Sequence, residues 1–241
     1  MLNELKEQVF RANLDLVKHG LVILTFGNVS GVDRDKGILA IKPSGVSYEK
    51  MRPADIVLVD LGGKVVEGKW KPSSDTPTHI ALYKAFPDIG GIAHTHSEYA
   101  TAFAQAAKEI PCLGTTHADH FDGPVPVTRF LSPAEVKTGY EARTGAIIVE
   151  RFARLRSLEM PAVLVAGHGP FCWGRTPAEA VRNNVVLEKT AKMAIMTRLA
   201  NPQGKVLPAY ILRKHFSRKH GPHAYYGQKE SPQTRTRRPK K

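Results

Sequence analysis

From Leu2 to His19, apolar residues fall at Leu2, Leu5, Val9, Ala12, Leu14, Leu16 and Val17, approximating one face of a helix that Gly20 is placed to end. The pattern then shortens. Leu21–Phe26, Ile38–Ile41 and Ile56–Val59 are brief apolar runs of strand length. Gly62-Gly63 leads into Val65-Val66, which predicts a hairpin. Thr76-Pro77 predicts a helix to about Phe86, with Thr76 as its cap and proline at the first helical position. Ile89–Thr95 reads as a strand entering a helix near Glu98–Lys108. Ser132-Pro133-Ala134-Glu135 and Thr176-Pro177-Ala178-Glu179 each place a hydroxyl three residues ahead of a glutamate, the spacing of a capping box. The second opens a long helix to about Leu199, and between the two boxes Ala162–Ala166 is a short, fully apolar strand. Helices and short strands are interspersed, with no internal repeat and no linker before about Asn201. That order predicts one α/β domain with helices packed on a mixed sheet.

Composition adds limits. A chain of 241 residues can bury a substantial core, and 42% hydrophobic content is ordinary for a soluble globular protein. No apolar run approaches the roughly 18 residues needed to span a bilayer. Met1–Gln8 alternates charge with leucine and lacks the apolar segment of a signal peptide. Cys112 and Cys172 are too few for a disulfide framework, so a cytoplasmic location is expected. The net charge of +13 is concentrated at one end: Arg213–Lys241 carries ten Lys/Arg against Glu230 alone, leaving residues 1–212 nearly balanced. Residues 229–241 (KESPQTRTRRPKK) hold no hydrophobic residue and read as a basic, disordered tail. Neither stacking aromatics nor a nucleic-acid-binding motif accompanies it, so nucleic acid is not an expected partner.

Chemistry concentrates in Ile92-Ala93-His94-Thr95-His96-Ser97. On a strand, His94 and His96 share one face and can grip one divalent metal. A His-x-His pair alone reads as readily as two half-buried structural histidines; a third candidate changes that. His168 follows an apolar strand in Ala166-Gly167-His168-Gly169-Pro170, where flanking glycines permit close approach. Three histidines at strand ends match the open catalytic zinc pattern, three protein ligands plus substrate. Phosphate-binding signals lie in three turns: Gly27-Asn28-Val29-Ser30, Lys42-Pro43-Ser44-Gly45 and Pro72-Ser73-Ser74-Asp75. Each offers backbone N–H groups and hydroxyls to an anion. With a metal triad, they suggest a small phosphorylated substrate.

The blocks GNVS, IKPSGV, KPSSDTPTH, GGIAHTHS, GTTHADHF, GHGPF and RKHGPHAYYGQ resemble the class II sugar-phosphate aldolase/epimerase family, and within it the L-ribulose-5-phosphate 4-epimerases. The resemblance runs through residues 1–228, which it implies form one domain: a central mixed, largely antiparallel sheet flanked by helices in three layers. It implies metal ligands at His94, His96 and His168, with an acidic group at Asp75 beside the ion, and phosphate contacts at Gly27, Asn28, Ser44, Gly45, Ser73 and Ser74. An acid/base pair is implied at Asp119 and Tyr226. It also implies a homotetramer with active sites between subunits, Tyr226 reaching in from a neighbour. The implied metal is Zn2+, with Mn2+ or Co2+ as alternatives. Two departures stand out: Ala166 occupies a place that is often histidine in the family, and the tail after Gln228 runs past the usual end. His117, His120, His215 and His220 are read as solvent-facing or structural, and both cysteines as packing residues.

The implied reaction is epimerisation at C4, which is not adjacent to the C2 ketone, so direct deprotonation gives no stabilised carbanion. Cleaving C3–C4 leaves electrons conjugated with C2, where a Lewis acid stabilises them. The nearest rival is a fuculose-phosphate-type aldolase, which releases its fragments. In that branch the position of Asp75 is typically the longer Glu; the shorter acid, with HAD at 117–119 and the YYGQ ending, favours the epimerase.

Overall fold

The computed structural model describes residues 2–220 and 224–226. In chain order the elements are α1 (Leu2–Lys18), β1 (Asn28–Asp33), β2 (Ile38–Ile41), β3 (Val57–Asp60), β4 (Val65–Glu67), α2 (Thr76–Ala85), β5 (Gly91–His94), α3 (Glu98–Gln105), α4 (Thr115–Ala118), α5 (Pro133–Arg151), β6 (Ala162–Val165), β7 (Gly169–Gly174), α6 (Pro177–Ala200) and α7 (Ala209–His220). Seven strands form one sheet in the order β4-β3-β2-β1-β5-β7-β6. Each neighbouring pair is antiparallel. The parallel component of the expected mixed sheet reduces, among the described residues, to a single bridge between Val127 and Leu164.

Strand alternation sends successive side chains to opposite layers. Val29 and Ala93 pack with Ala12 and Leu16 of α1 and Ala180 and Val181 of α6. Ser30 and Trp173 face the other way: Ser30 Oγ meets Tyr83 OH of α2 at 2.8 Å, and the Trp173 ring lies 5.2 and 5.0 Å from Phe86 and Phe152. The result is helices, sheet, helices, the expected three layers. Trp173 is fully buried between them, and truncating it to alanine is expected to cost about 3–5 kcal/mol.

Several expectations need correction. Leu21–Phe26 is not a strand; the chain turns there, with Leu24 at φ 53° and Gly27 at φ 79°, and β1 begins only at Asn28. A side chain at Gly27 would lie 2.7 Å from Val22 Cγ1 and 3.0 Å from the His94 carbonyl oxygen, besides adopting the left-handed conformation that glycine tolerates. Asp75, not Thr76, occupies the cap position of α2, and the Thr76 hydroxyl donates to Ser73 O at 2.6 Å. Ser132 and Glu135 form a complete capping box. Thr176 caps Glu179 N, but the Glu179 carboxylate accepts from Arg175 N instead of closing the box. α5 kinks at Gly139 (φ 131°, ψ 76°), immediately before Tyr140. Gln228 and the 229–241 tail lie outside the described residues. No described helix is long and apolar enough to cross a membrane.

A candidate metal and anion site

β5 delivers His94 to the sheet's end, with His96 two residues on, and the β6–β7 turn brings His168 against them. One nitrogen from each histidine lies within 4.8 Å of the others. His94 is buried and its Nδ1 sits 2.9 Å from the Pro170 carbonyl oxygen. A carbonyl only accepts, so Nδ1 carries the proton and Nε2 keeps a free lone pair for a metal. Burial, then the neighbouring His94 and His96, push His168 down to about 4; burial and His94 also lower His96. Neutral imidazoles are the form that ligates, so this donor set fits one divalent ion with an open coordination position.

Asp75 borders the triad. Its Oδ2 lies 3.9 Å from His94 Nε2 and accepts from Asn28 Nδ2 at 2.7 Å. Burial alone would raise the Asp75 carboxyl, but His94, His79 and the Asn28 amide hold it below the usual carboxylate range. Asn28 Oδ1 is buried without a hydrogen-bond partner among the described residues.

A cavity of about 370 Å³ gathers Gly27, Asn28, Ser44, Gly45, Ser73, Ser74, Asp75, His94, His96 and His168, all the residues expected for metal and phosphate. The two serine loops are stitched together: Ser44 N donates to Lys71 O and Ser73 N to Lys42 O, each at 3.0 Å. Those two amides are occupied, and the Ser73 hydroxyl also accepts from Asp75 N at 3.3 Å. Among the further lining residues, Tyr140 and Glu141 were not read from sequence, and Lys42, named there only as the first residue of its turn, was given no role of its own. Lys42 is 2% exposed, its ammonium over the Tyr48 ring and near the Thr25 and Pro43 carbonyls, with no carboxylate in salt-bridge range among the described residues. Burial pushes it down to about 8. A lysine ending a buried strand was the available signal, masked by the adjacent Pro-Ser-Gly turn. Tyr140 OH reaches His168 Nδ1 at 3.3 Å, placed there by the Gly139 kink that no residue pattern announced.

Asp119 and Tyr226 do not line this cavity. Asp119 is buried at the end of α4, bridged by Arg218 Nε and Nη2 (3.0 and 2.7 Å), His215 Nδ1 (2.9 Å) and, more distantly, Lys219 (3.6 Å). Burial would raise its carboxyl, but the hydrogen bonds from Arg218 and His215 and the charges of Lys219 and Arg218 hold it below its ordinary value. His215 and His220 therefore serve this cluster: His220 Nε2 lies 2.9 Å from the Asp119 carbonyl oxygen. Tyr226 is half exposed beneath the Arg218 guanidinium, 4.6 Å from its ring centre. His117 is structural as expected, with Nε2 2.7 Å from Gly123 O, and both cysteines are buried and free. A larger cavity of about 1030 Å³ between α3, α6 and α7 is mostly apolar and contains none of the triad.

Residues 7–195 match the family model of the Class II Aldolase and Adducin N-terminal domain, and the chain belongs to that family. Solved structures sharpen the placement. The chain is 27% identical to an L-fuculose 1-phosphate aldolase, covering 88% of this chain and 94% of that one with a TM-score of 0.74. It is 26% identical to the l-fuculose-1-phosphate aldolase of Thermus thermophilus, covering 85% and 100% with a TM-score of 0.65. It is also 26% identical to YgbL from Escherichia coli, whose description leaves aldolase, epimerase and decarboxylase open, covering 88% and 97% with a TM-score of 0.70. The fold, the family and the histidine cluster together place the chain with the class II aldolase/epimerase-type enzymes; class II aldolases depend on divalent metal, and the histidine cluster here could bind one.

Proposed function

We propose that this enzyme interconverts L-ribulose 5-phosphate and D-xylulose 5-phosphate by breaking and remaking C3–C4. One observation carries the reading: a single cavity holds three imidazoles within ligating range of one another and, beside them, the Ser44, Ser73 and Ser74 hydroxyls with the buried Lys42 ammonium. A sugar with a phosphate at one end and a ketone–hydroxyl pair at the other matches both halves. His94, His96 and His168 would hold the ion, Zn2+ by donor type with Mn2+ or Co2+ as alternatives, and Asp75 forms the acidic edge of the set. When bound, the ion supplies Lewis acidity for the charge left on the C2–C3 portion as C3–C4 breaks.

The chain's own residues do the rest. The C4 hydroxyl must lose a proton for the bond to break, and the aldehyde oxygen must regain one after the aldehyde turns its other face. We assign these transfers to Asp119 and Tyr226, one for each epimer. Arg218 and His215 keep Asp119 ionised, the form a base requires. Gly27, Asn28, Gly45 and the serine loops anchor the phosphate while the aldehyde rotates.

Because Asp119 and Tyr226 lie outside their own chain's triad cavity, we assign the working enzyme to a homotetramer with sites between subunits. Exposed apolar groups at the mouth support this: Phe26 lines the cavity, Leu24 is 79% exposed, and the exposed Phe130 packs over Gly167 beside His168. Residues 1–228 form the catalytic domain in this reading, and two reduced, buried cysteines suit a cytoplasmic protein.

Likeness to L-fuculose 1-phosphate aldolase favours a second reading, cleavage with release of fragments. The short Asp75, tied to Asn28, argues for the epimerase. A coupled assay decides: L-ribulose 5-phosphate should yield D-xylulose 5-phosphate, chelator should stop it, and divalent metal should restore it. Net release of an aldehyde phosphate, without epimer, would assign the chain to the aldolases instead.

A further inference from the structure

A second cavity, of about 350 Å³, shares no lining residue with the metal cavity. Its walls come from four segments: His120 after α4, Leu158 and Pro161 before β6, Arg175 and Arg182 at the start of α6, and Lys219, His220 and Tyr226 at the end of the described chain. Charge in it is one-sided. The single lining carboxylate, Glu179, is already engaged by Arg175 N at 2.8 Å and Arg182 Nη2 at 3.3 Å. Among the described residues, the Arg175 side chain has no ion-pair partner, and Lys219 reaches only the distant Asp119 oxygen at 3.6 Å. Burial first, then Lys219, His220 and Arg182, push His120 down to about 4, so that imidazole is neutral when the cavity is empty.

We propose that this cavity is a second anion site, distinct from the metal cavity and bordered by Tyr226, that takes a small phosphate monoester. Two guanidiniums and an ammonium facing one space repel one another unless an anion lies between them, and a cleft lined by one sign of charge concentrates counter-ions. Guanidinium forks match the oxygens of a tetrahedral dianion in pairs. Leu158, Pro161 and the Tyr226 ring form the less polar wall against which the organic part of such a molecule rests. The space is that of one small molecule, close in volume to the catalytic cavity. Its cationic side also adjoins Asp119, since Lys219 and His220 both reach that residue. An occupant therefore sits one side chain from the proposed acid/base group. The site itself stands whether or not the epimerase assignment holds.

The test uses inorganic phosphate as the probe and thermal unfolding of the full chain at fixed ionic strength as the readout. Ser44→Ala with Ser73→Ala weakens the catalytic cavity and isolates the second site. In that chain phosphate should raise the melting temperature with dose, and chloride should not. Adding Arg175→Gln and Arg182→Gln should raise the half-saturating phosphate concentration about tenfold or more, the loss expected for charge-assisted hydrogen bonds. Arg175→Lys with Arg182→Lys keeps the charge, removes the fork and should give an intermediate value, which covers a glutamine pair that fails to fold. Absence of any phosphate response in the Ser44→Ala/Ser73→Ala chain would overturn the proposal. So would an equal response with and without the arginine changes. Because binding and not turnover is measured, neither result bears on which sugar the catalytic cavity takes.

Discussion

His94 ends β5, a strand paired on both sides inside the seven-stranded sheet, whereas Asp119 closes the four-residue α4 and is held by side chains of α7. In the first region the backbone ladder sets the position of His94, opposite Asn28 on one side and Phe171 on the other, and His96 and His168 lie in the segments that leave and enter the neighbouring strands. In the second, ion pairs do the work. Asp119 is fixed by Arg218, His215 and Lys219 from a helix that buries none of its residues. A sheet register survives changes in salt and pH; a charge cluster responds to both. The proposed metal triad is thus assembled within one chain, while the proposed proton-transfer residues are set by electrostatics and lie outside its cavity.

The largest expected effect tests the first region. His94→Ala with His96→Ala should abolish metal binding and activity together, since one remaining imidazole cannot hold the ion. Elemental analysis showing full metal content in that double variant would break the assignment. Asp119→Asn should instead leave metal content and assembly intact while lowering epimerisation by roughly 10²- to 10⁴-fold, the usual worth of a positioned acid/base group. The two regions should also complement each other across chains. Co-assembled His94→Ala/His96→Ala and Asp119→Asn subunits should recover activity above either alone, because some sites then combine an intact triad from one chain with the intact Asp119 and Tyr226 that Arg218 holds together on another. No recovery in tetramers shown to be mixed would mean that the triad and Asp119 do not meet across an interface. The cluster makes a pH statement as well. Asp119's folded-state value is depressed, so its stabilisation is present above the unfolded carboxylate range and lost as pH falls through the lower folded value. Denaturation curves of wild type and Asp119→Asn should therefore begin to converge as pH falls below about 4 and meet only below the depressed folded value.

The same contrast decides what was legible in the chain. His94 and His96 follow from strand period, and His168 from an apolar strand ending in Gly-His-Gly. β2, the β3–β4 hairpin and α6 follow from apolar period and turn chemistry, within a residue or two of their ends. What failed has physical causes. Leu21–Phe26 looks like a strand by composition, yet only Leu21 is buried while Ile23, Leu24 and Phe26 are exposed, so hydrophobicity there marks a surface more than a core. β1 (NVSGVD) and β7 (GPFCWG) are buried strands whose Gly, Pro, Asn and Ser disguise them, because closeness to neighbours, not apolar count, selected those residues. α7 has no buried face and so no period to read. Asp119 and Tyr226 rest on family resemblance alone; no local pattern distinguishes a loop carboxylate that α7 will surround.

A smaller effect concerns Lys42, the cation in the metal cavity that has no carboxylate partner among the described residues. Replacing it with methionine should weaken binding of the phosphorylated substrate about tenfold, the order expected for one charge-assisted contact, with little change in kcat. Its depressed value gives a direction in pH. As pH rises through about 8 the amine of the folded protein loses its charge, so KM of wild type should climb there, and Lys42→Met should lack that step. Stability runs the opposite way. The unfolded chain keeps this proton to a higher pH than the folded one, so folding is penalised below about 8 and relieved between there and the ordinary lysine value. Lys42→Met should therefore be more stable than wild type at neutral pH and lose that advantage in alkali. A variant less stable at pH 7 would mean that the ammonium is better satisfied than its contacts indicate.

The smallest effect is expected at the C-terminus, where the basic tail adjoins Tyr225-Tyr226 in sequence. Residues 229–241 lie outside the described residues; their composition carries the argument. They contain six Lys/Arg, one acid and no apolar side chain, so their removal lowers the net charge from +13 to +8 and takes away no group able to anchor in a core. Deleting Lys229–Lys241 should leave kcat within about twofold, because nothing in the tail has an acid/base or ligating role in the mechanism. Its remaining influence is the field it lends to a doubly charged substrate. That field is screened within about 8 Å at physiological ionic strength and reaches further as salt is removed. The truncated chain should accordingly match wild type in kcat/KM at about 0.15 M salt and fall modestly below it only at low salt, while eluting earlier from a cation exchanger at any salt. Extending the deletion back to Tyr225 should instead abolish epimerisation, since it removes Tyr226 while sparing the triad, whose metal content should stay at one ion per chain. If the short deletion lowers kcat as far as the long one does, the boundary at 228 is misplaced and the tail takes part in the site.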